Sequence, residues 1–291
     1  MKISITGNTG FIGSALIAHL SKNNSINLFI FERNKYSLAA IDSLNGFVQD
    51  KDVIVHLAGA THTELATDYY SVNTFGTRHL PEAIRLYGKP DAQFVFVSSS
   101  AVYEEKFINK KLSEKNSRTI PRNHYGMSKK FAEELIGFYF RQYNLRNSIL
   151  RIANTYGPGN KIMHNGIIAL LIDKIYSREP ITTNGDRTQF RDFIFIDDVI
   201  HAFSKILTCR KRSLLVNICS GKEVSVIELI KKIEKLLKKK EIINFNNKYT
   251  EKGYWIGNPT KAKSEIDFLA ITDIDTGLRK TVTNYMENKN L

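Results

Sequence analysis

The chain opens on Lys2-Ile3-Ser4-Ile5-Thr6, an alternating β-rich run, and passes through Gly7, Gly10 and Gly13 into Phe11, Ile12, Ala15, Leu16 and Leu20, which recur at helical spacing. The order is strand, glycine turn, helix. Apolar runs recur at Ile26–Phe31, Val53–Leu57, Phe94–Val97, Ser148–Ile152, Phe193–Ile196 and Leu215–Ile218, and helical stretches alternate with them. VIVHLAG and FVFVSSS are continuous rather than alternating, as strands buried on both faces are. The pattern predicts an α/β fold built on a doubly wound parallel sheet. A long amphipathic helix is expected between Tyr125 and Tyr143. Beyond YGPGN at 156–160 the pattern loosens, with a helix near Gly166–Ser177, a break at Pro180 and a helix over Ser225–Lys240. In the last of these Ser225 and Glu228 form a capping box, and Val226, Leu229, Ile230, Ile233 and Leu237 share one face. The expected division is a larger domain over 1–155, with return segments at about 188–220, and a smaller C-terminal lobe from 156–187 and 221–291. The charged stretch between Tyr103 and His124 reads as a surface loop.

A length of 291 residues suits one large domain, or one domain with a smaller lobe, and no internal repeat is visible. There is no basic segment leading into an apolar leader, and no run nears the roughly 18 apolar residues that cross a bilayer. A cytoplasmic protein with no membrane partner is expected. The two cysteines, Cys209 and Cys219, lie outside any CxxC or Cys/His cluster, so neither a disulfide framework nor a metal site is expected. The net charge of +13 raises nucleic acid, an anionic surface or phosphorylated small molecules as partners. Much of it sits on the solvated back of the Ser225–Lys240 helix, and no basic stripe with interleaved aromatics accompanies it. Nucleic acid is therefore not the expected partner.

Three features carry chemistry. The glycines Gly7, Gly10 and Gly13 serve either a tight strand-to-helix turn or the approach of a dinucleotide's pyrophosphate to a helix N-terminus. Tyr125 and Lys129 are four apart near the start of a helix, which puts them on one face. An ammonium there lowers the phenol's pKa and makes it an acid/base, although such pairs also occur by chance. Ser98, Ser99 and Ser100 end a buried strand, where ligands collect in parallel sheets and where serines also simply terminate strands. The three features occur in the order a hydride-transferring sheet enzyme needs.

In TGNTGFIG, DVIVHLAG, NTFGT, VSSSAVY, YGMSK, RIANTYGPGN and RDFIFIDDV, running nearly end to end, the chain resembles the extended short-chain dehydrogenase/reductase family. The likeness is to its nucleotide-sugar epimerase, dehydratase and 4-ketoreductase branch. The resemblance implies a Rossmann-type domain with a substrate-binding lobe, and it implies that Gly7, Gly10, Phe11, Ile12 and Gly13 cradle the cofactor pyrophosphate. Leu57, Ala58 and Gly59 would line its ribose and nicotinamide side. Tyr125 would be the acid/base, Lys129 would tune it and hold the nicotinamide ribose, and Ser99, with Ser100 beside it, would bond the reacting sugar oxygen. Asn154 and Arg191 would grip the diphosphate of a nucleotide-diphospho-sugar. For Arg191 the physical warrant is a planar fork that matches phosphate oxygens.

The chain departs from the family pattern at three places. Dehydratases of the branch carry Asp-Glu where Ser100 and Ala101 stand, which argues against 4,6-dehydration. Glu104 replaces the glycine usual after VY. Only about twenty residues link Glu32 to Asp52, where the family often has another strand. Glu32 favours NAD(H) by bonding a ribose hydroxyl and repelling a 2′-phosphate, while the adjacent Arg33 keeps NADP(H) as the alternative. The expected activity is oxidoreduction at C4 of a nucleotide-diphospho-sugar, leaning to a 4-keto-sugar reductase in deoxysugar or surface-polysaccharide precursor synthesis. A 4-epimerase stands as the alternative, a non-catalytic sugar-nucleotide or RNA-binding protein is a remote one, and a homodimer is left open.

Overall fold

The computed structural model describes residues 1–104, 110–160, 166–184, 189–240, 243–246 and 254–289; the expected surface loop before His124 lies in part, at 105–109, outside them. The chain divides into two compact units. One holds Met1–Glu104, Arg118–Ile152 and Ala202–Val216, and the other holds the remaining described residues. By compactness the segment that returns to the first unit is Ala202–Val216.

In chain order the first unit contains β1 (Lys2–Thr6), α1 (Phe11–Leu20), β2 (Asn27–Ile30), the short α2 (Asn45–Val48), β3 (Val53–His56), α3 (Ala66–Tyr70), α4 (Gly76–Tyr87), β4 (Gln93–Ser99), α5 (His124–Tyr143) and β5 (Asn147–Ile152). The chain then supplies β6 (Asn154–Tyr156), α6 (Ile167–Ser177), β7 (Ile181–Asn184), β8 (Phe190–Phe195), α7 (Ile196–Thr208), β9 (Ser213–Ile218), β10 (Glu223–Ser225), α8 (Val226–Leu237), β11 (Ile243–Asn246), β12 (Tyr254–Trp255), α9 (Thr260–Ile266) and α10 (Ile274–Lys289).

The main sheet runs β2-β1-β3-β4-β5-β9. β1 pairs in parallel with β2 and β3, and β3–β4 and β4–β5 are parallel too. All four residues of β3 are buried, as its unbroken apolar run predicted. The short Glu32-to-Asp52 link adds no strand. It covers the sheet with Leu44, Phe47 and Val48, which join Ile54, Phe94, Phe96 and Ile136 in one core cluster. Phe31 and Phe47 meet edge-on at 5.2 Å within it.

Among the described residues of this unit, Gln93 Oε1 and Arg151 Nη1 are buried side-chain atoms without a hydrogen-bond partner, whereas the His56 ring has both nitrogens paired. His56 Nε2 lies 3.0 Å from Thr77 Oγ1, whose own proton goes to the Asn73 carbonyl, so the ring donates there. His56 Nδ1 is then the acceptor of the Thr6 hydroxyl at 2.6 Å. The imidazole is neutral, and burial lowers its pKa to about 3.

Phe193–Ile196 was expected to return to the main sheet, and it does not. β8 is the middle strand of a separate sheet, β10-β8-β12, with β6 also pairing alongside it. Two forces hold it there. β6, immediately after β5, pairs in parallel with Phe193–Phe195. The buried Asp192 carboxylate accepts from Ser220 N and Oγ, Gly221 N and Gly257 N, a set available only within this unit. α8 forms as its periodicity predicts, with Ser225 Oγ capping Glu228 N at 3.1 Å and Leu229, Ile230, Ile233 and Leu237 buried.

Candidate active site

Because β1 lies between β2 and β3, the chain leaves it to one side and later returns on the other, which opens a crevice at the strands' carboxyl ends. The glycine turn fills that place. Gly7 has φ +75°, and a Cβ on it would stand 2.5 Å from Ala58 N, so the turn after β1 touches the loop after β3 by backbone alone. Gly10 caps α1 with no side-chain hydrogen bond, leaving the N–H groups of the first turn, at Phe11, Ile12 and Gly13, without a capping side chain. That end of the helix favours an anion. Leu57 and Ala58 are held at the same crevice by Thr6, through Leu57 N to Thr6 O at 3.2 Å and Ala58 N to Thr6 Oγ1 at 3.2 Å. Gly59 follows them. Glu32 and Arg33 are exposed just past β2, in a turn closed by Tyr36 N on Glu32 O at 2.8 Å. These residues fit a dinucleotide laid across the crevice, with its diphosphate at α1 and a ribose toward Glu32.

Ser99 ends β4 and caps the turn Ser100–Val102, its Oγ accepting from Ala101 N at 3.1 Å. α5 starts beside that turn. Its cap, Asn123, accepts from Gly126 N at 2.8 Å, and a Cβ on Gly126 would fall 2.2 Å from the Ala101 carbonyl oxygen. Glycine after Tyr125 is what lets the helix come this near. Ser99 acts on the Tyr125 hydroxyl so as to lower its pKa, and Tyr69 stands edge-on to the Tyr125 ring at 6.2 Å. Lys129 is buried on the same helix face. Its Nζ donates to Val97 O at 3.0 Å and lies 3.1 Å from where a side chain on Gly59 would begin, which brings the ammonium to the cofactor crevice.

The electrostatics differ from expectation in one respect. Lys129 does not lower the Tyr125 pKa in the protein alone: burial raises it, against the opposing Ser99 hydrogen bond. The reason is solvation. Lys129 is itself pushed down, to about 8, by its own burial, and its ammonium is turned to the Val97 carbonyl.

Asn73 was not singled out as a site residue. It is fully buried in a π-helical turn, Ser71–Phe75, between α3 and α4. Its side chain takes Ala60 N at 2.8 Å and gives to Ala60 O and Ser128 Oγ, both at 2.9 Å, fastening the loop beyond Gly59 to α5. The only signal for it was its place in NTFGT, one of the fragments that carry the family resemblance.

In the second unit Asn154 and Arg191 lie on β6 and β8. Asn154 Nδ2 donates to Asp192 O at 3.0 Å, so its amide already serves the β6–β8 pairing. The Arg191 guanidinium lies 5.2 Å from the centroid of the Trp255 ring, opposite which it is registered on β12. Among the described residues no group of His, Cys, Asp or Glu could hold a metal ion, and no helix is long and apolar enough to cross a membrane.

The sequence model of the NAD dependent epimerase/dehydratase family matches residues 3–219. The chain belongs to this family. Within the family it is 29% identical to a putative UDP-glucose 4-epimerase of Methanocaldococcus jannaschii, with 99% of each chain covered. It is 26% identical to a dTDP-glucose 4,6-dehydratase of Neisseria gonorrhoeae, covering 99% of this chain and 96% of that one. Among solved structures it is similar to the UDP-glucuronic acid 4-epimerase of Bacillus cereus in complex with NAD, at 27% identity and a TM-score of 0.85, covering 100% of this chain and 98% of that one. The resemblance to the epimerase, dehydratase and 4-ketoreductase branch is borne out at the level of the family, and NAD is the cofactor of the family.

Proposed function

We propose that this protein acts at C4 of a nucleotide-diphospho-hexose, interconverting C4 epimers with NAD kept bound. The observation that carries the reading is the convergence of Ser99, Tyr125 and Lys129 at the mouth of the dinucleotide crevice. With positive charge from a bound cofactor to offset its desolvation, Tyr125 would take, as its phenolate, the proton of the C4 hydroxyl when the sugar is oxidised and return it when the 4-keto sugar is reduced. Ser99, which ends β4 and acts on the Tyr125 hydroxyl, holds the sugar oxygen through both half-reactions. Lys129 supplies positive charge on the same helix face and a donor for the cofactor ribose. Bound NAD would supply the hydride acceptor and, once reduced, the donor. Asn154 and Arg191 are the groups we assign to the diphosphate, with Trp255 stacking behind Arg191.

One consideration favours epimerisation over 4,6-dehydration. Positions 100 and 101 carry no carboxylic acid to protonate a leaving hydroxyl, and Ala101 is a buried methyl. One-way reduction of a 4-keto sugar, the direction the sequence leaned to, is the second reading. It is favoured by the short Glu32-to-Asp52 link, which leaves less protein to clasp the adenine.

The deciding experiment is a panel of UDP-, dTDP-, GDP- and CDP-hexoses and their 4-keto derivatives, followed for product and for nicotinamide absorbance. The epimerase arrives with NAD bound and interconverts C4 epimers without added cofactor. Consumption of one reduced nicotinamide per 4-keto sugar would replace it with the reductase, and no turnover across the panel would remove both.

A further inference from the structure

Helix α5 carries a second ionisable residue on the face of Lys129. Glu133 stands one turn further on and is 8% exposed. Its carboxylate is shared between two strands: Oε1 accepts from Ser98 Oγ at 2.5 Å and from Arg151 Nε at 3.0 Å, and Oε2 accepts from Arg151 Nη2 at 2.6 Å. Ser98 and Arg151 face each other in the β4–β5 register, and Ser98 immediately precedes Ser99. The Arg151 guanidinium also packs over the Tyr103 ring at 4.6 Å, at the far end of the turn that Ser99 begins. One buried ion pair therefore touches every element that carries the reactive groups.

Stability does not explain such a pair, since apolar residues of similar volume in its place are often neutral or better. Lys129 offers the reason. Its ammonium is buried, and burial lowers its pKa to about 8 with the Glu133 charge working in the opposite sense. The groups facing Lys129 are few. From β3 comes His56, which is neutral; from the π-helical turn comes Asn73, which carries no charge; from its own helix come Tyr125 and Glu133; Arg151, from β5, is engaged by Glu133. Glu133 is the negative charge among them.

We infer that the Glu133–Arg151 pair is the positioning element of this site: its carboxylate is the counter-charge of the Lys129 ammonium, and it locks α5 against β4 and β5 beneath Ser99. The inference rests on the acid–base reading of Tyr125 and Lys129, and Glu133 acts through them without touching substrate. Neutralising Glu133 leaves burial unopposed at Lys129, so the amine loses its proton at lower pH.

The test is a titration of Lys129 itself, by NMR of the full chain labelled at lysine 13Cε, with the resonance assigned by its loss in K129M. The parent should titrate near pH 8 and E133Q at lower pH. Because E133Q leaves the buried Arg151 charge without its carboxylate and can fail to fold, E133Q/R151M is the second variant, with both charges gone. It should fold and still titrate low. In turnover, the alkaline limb of kcat/KM should move the same way, and a midpoint lower by one pH unit should cost about tenfold in rate at high pH. A Lys129 midpoint unchanged from the parent in either folded variant overturns the inference. The midpoint is read without substrate, so loss of the proposed reaction and loss of this coupling would be seen separately.

Discussion

A Cβ on Gly126 would lie 2.2 Å from the carbonyl oxygen of Ala101, closer than any side chain can sit to backbone. The first turn of α5 is thus packed directly on the turn that carries Ser99, and the missing side chain sets the Ser99–Tyr125 approach.

Gly126→Ala should therefore push α5 off the Ser99 turn. Overpacking of this kind costs about 1–3 kcal/mol, and a displacement near 1 Å costs about 100-fold in rate. Thermal unfolding and kcat measured together check this. Parental kcat in G126A would show that the close approach does not govern catalysis.

Tyr125→Phe removes the proton carrier while keeping the ring beside Tyr69. Turnover should fall about 100- to 10,000-fold, the usual worth of a placed general acid or base, with NAD affinity held within about threefold. Steady-state kinetics and a cofactor titration on the same preparation decide it.

His56 predicts a specific acid sensitivity. Its folded pKa is about 3, below the 6.5 of the unfolded chain, so between those values the unfolded state binds the extra proton. The stability it contributes is present in full above pH 6.5 and is lost as pH falls toward 3, by up to about 1.4 kcal/mol for each pH unit. In His56→Gln this part of the slope of Tm against pH should disappear, whatever the variant's absolute stability.

Glu32 sits exposed just past β2, where a carboxylate disfavours a 2′-phosphate. Glu32→Ala, with Arg33 left in place, should narrow the preference for NAD over NADP by about tenfold or more in side-by-side binding titrations. An unaltered ratio would mean that Glu32 does not read the ribose.

Arg191→Ala should act on binding. Loss of a charge-assisted contact to phosphate is worth about 1.5–3 kcal/mol, or about 10- to 100-fold in KM, with kcat changed far less. Arg191→Lys keeps the charge without the planar fork and should recover only part of the loss. An unchanged KM for the nucleotide sugar would take Arg191 out of the diphosphate site.

Much of the first unit was legible in the residues. The unbroken apolar runs at Val53 and Phe94 fit strands covered on both faces, and helical spacing after Gly10 fits a helix that follows a turn, so sheet, glycine loop and α5 were all visible in one dimension. Tyr125 and Lys129 were legible because an i, i+4 pair shares a helix face wherever the helix goes. What the sequence could not show were relations between residues far apart in the chain. β8 reads as another buried strand, and its pairing with β6 and the bonds of Asp192 to Ser220, Gly221 and Gly257 together seat it in a different sheet. Asn73 looks like an ordinary helical polar residue until its turn folds against Ala60 and Ser128. Local periodicity determined which elements form and which residues share a face. Burial and long-range pairing decided how those faces meet, and with them the raised pKa of Tyr125, the lowered pKa of Lys129 and the Glu133–Arg151 pair, because desolvation exists only once the chain has closed around a group.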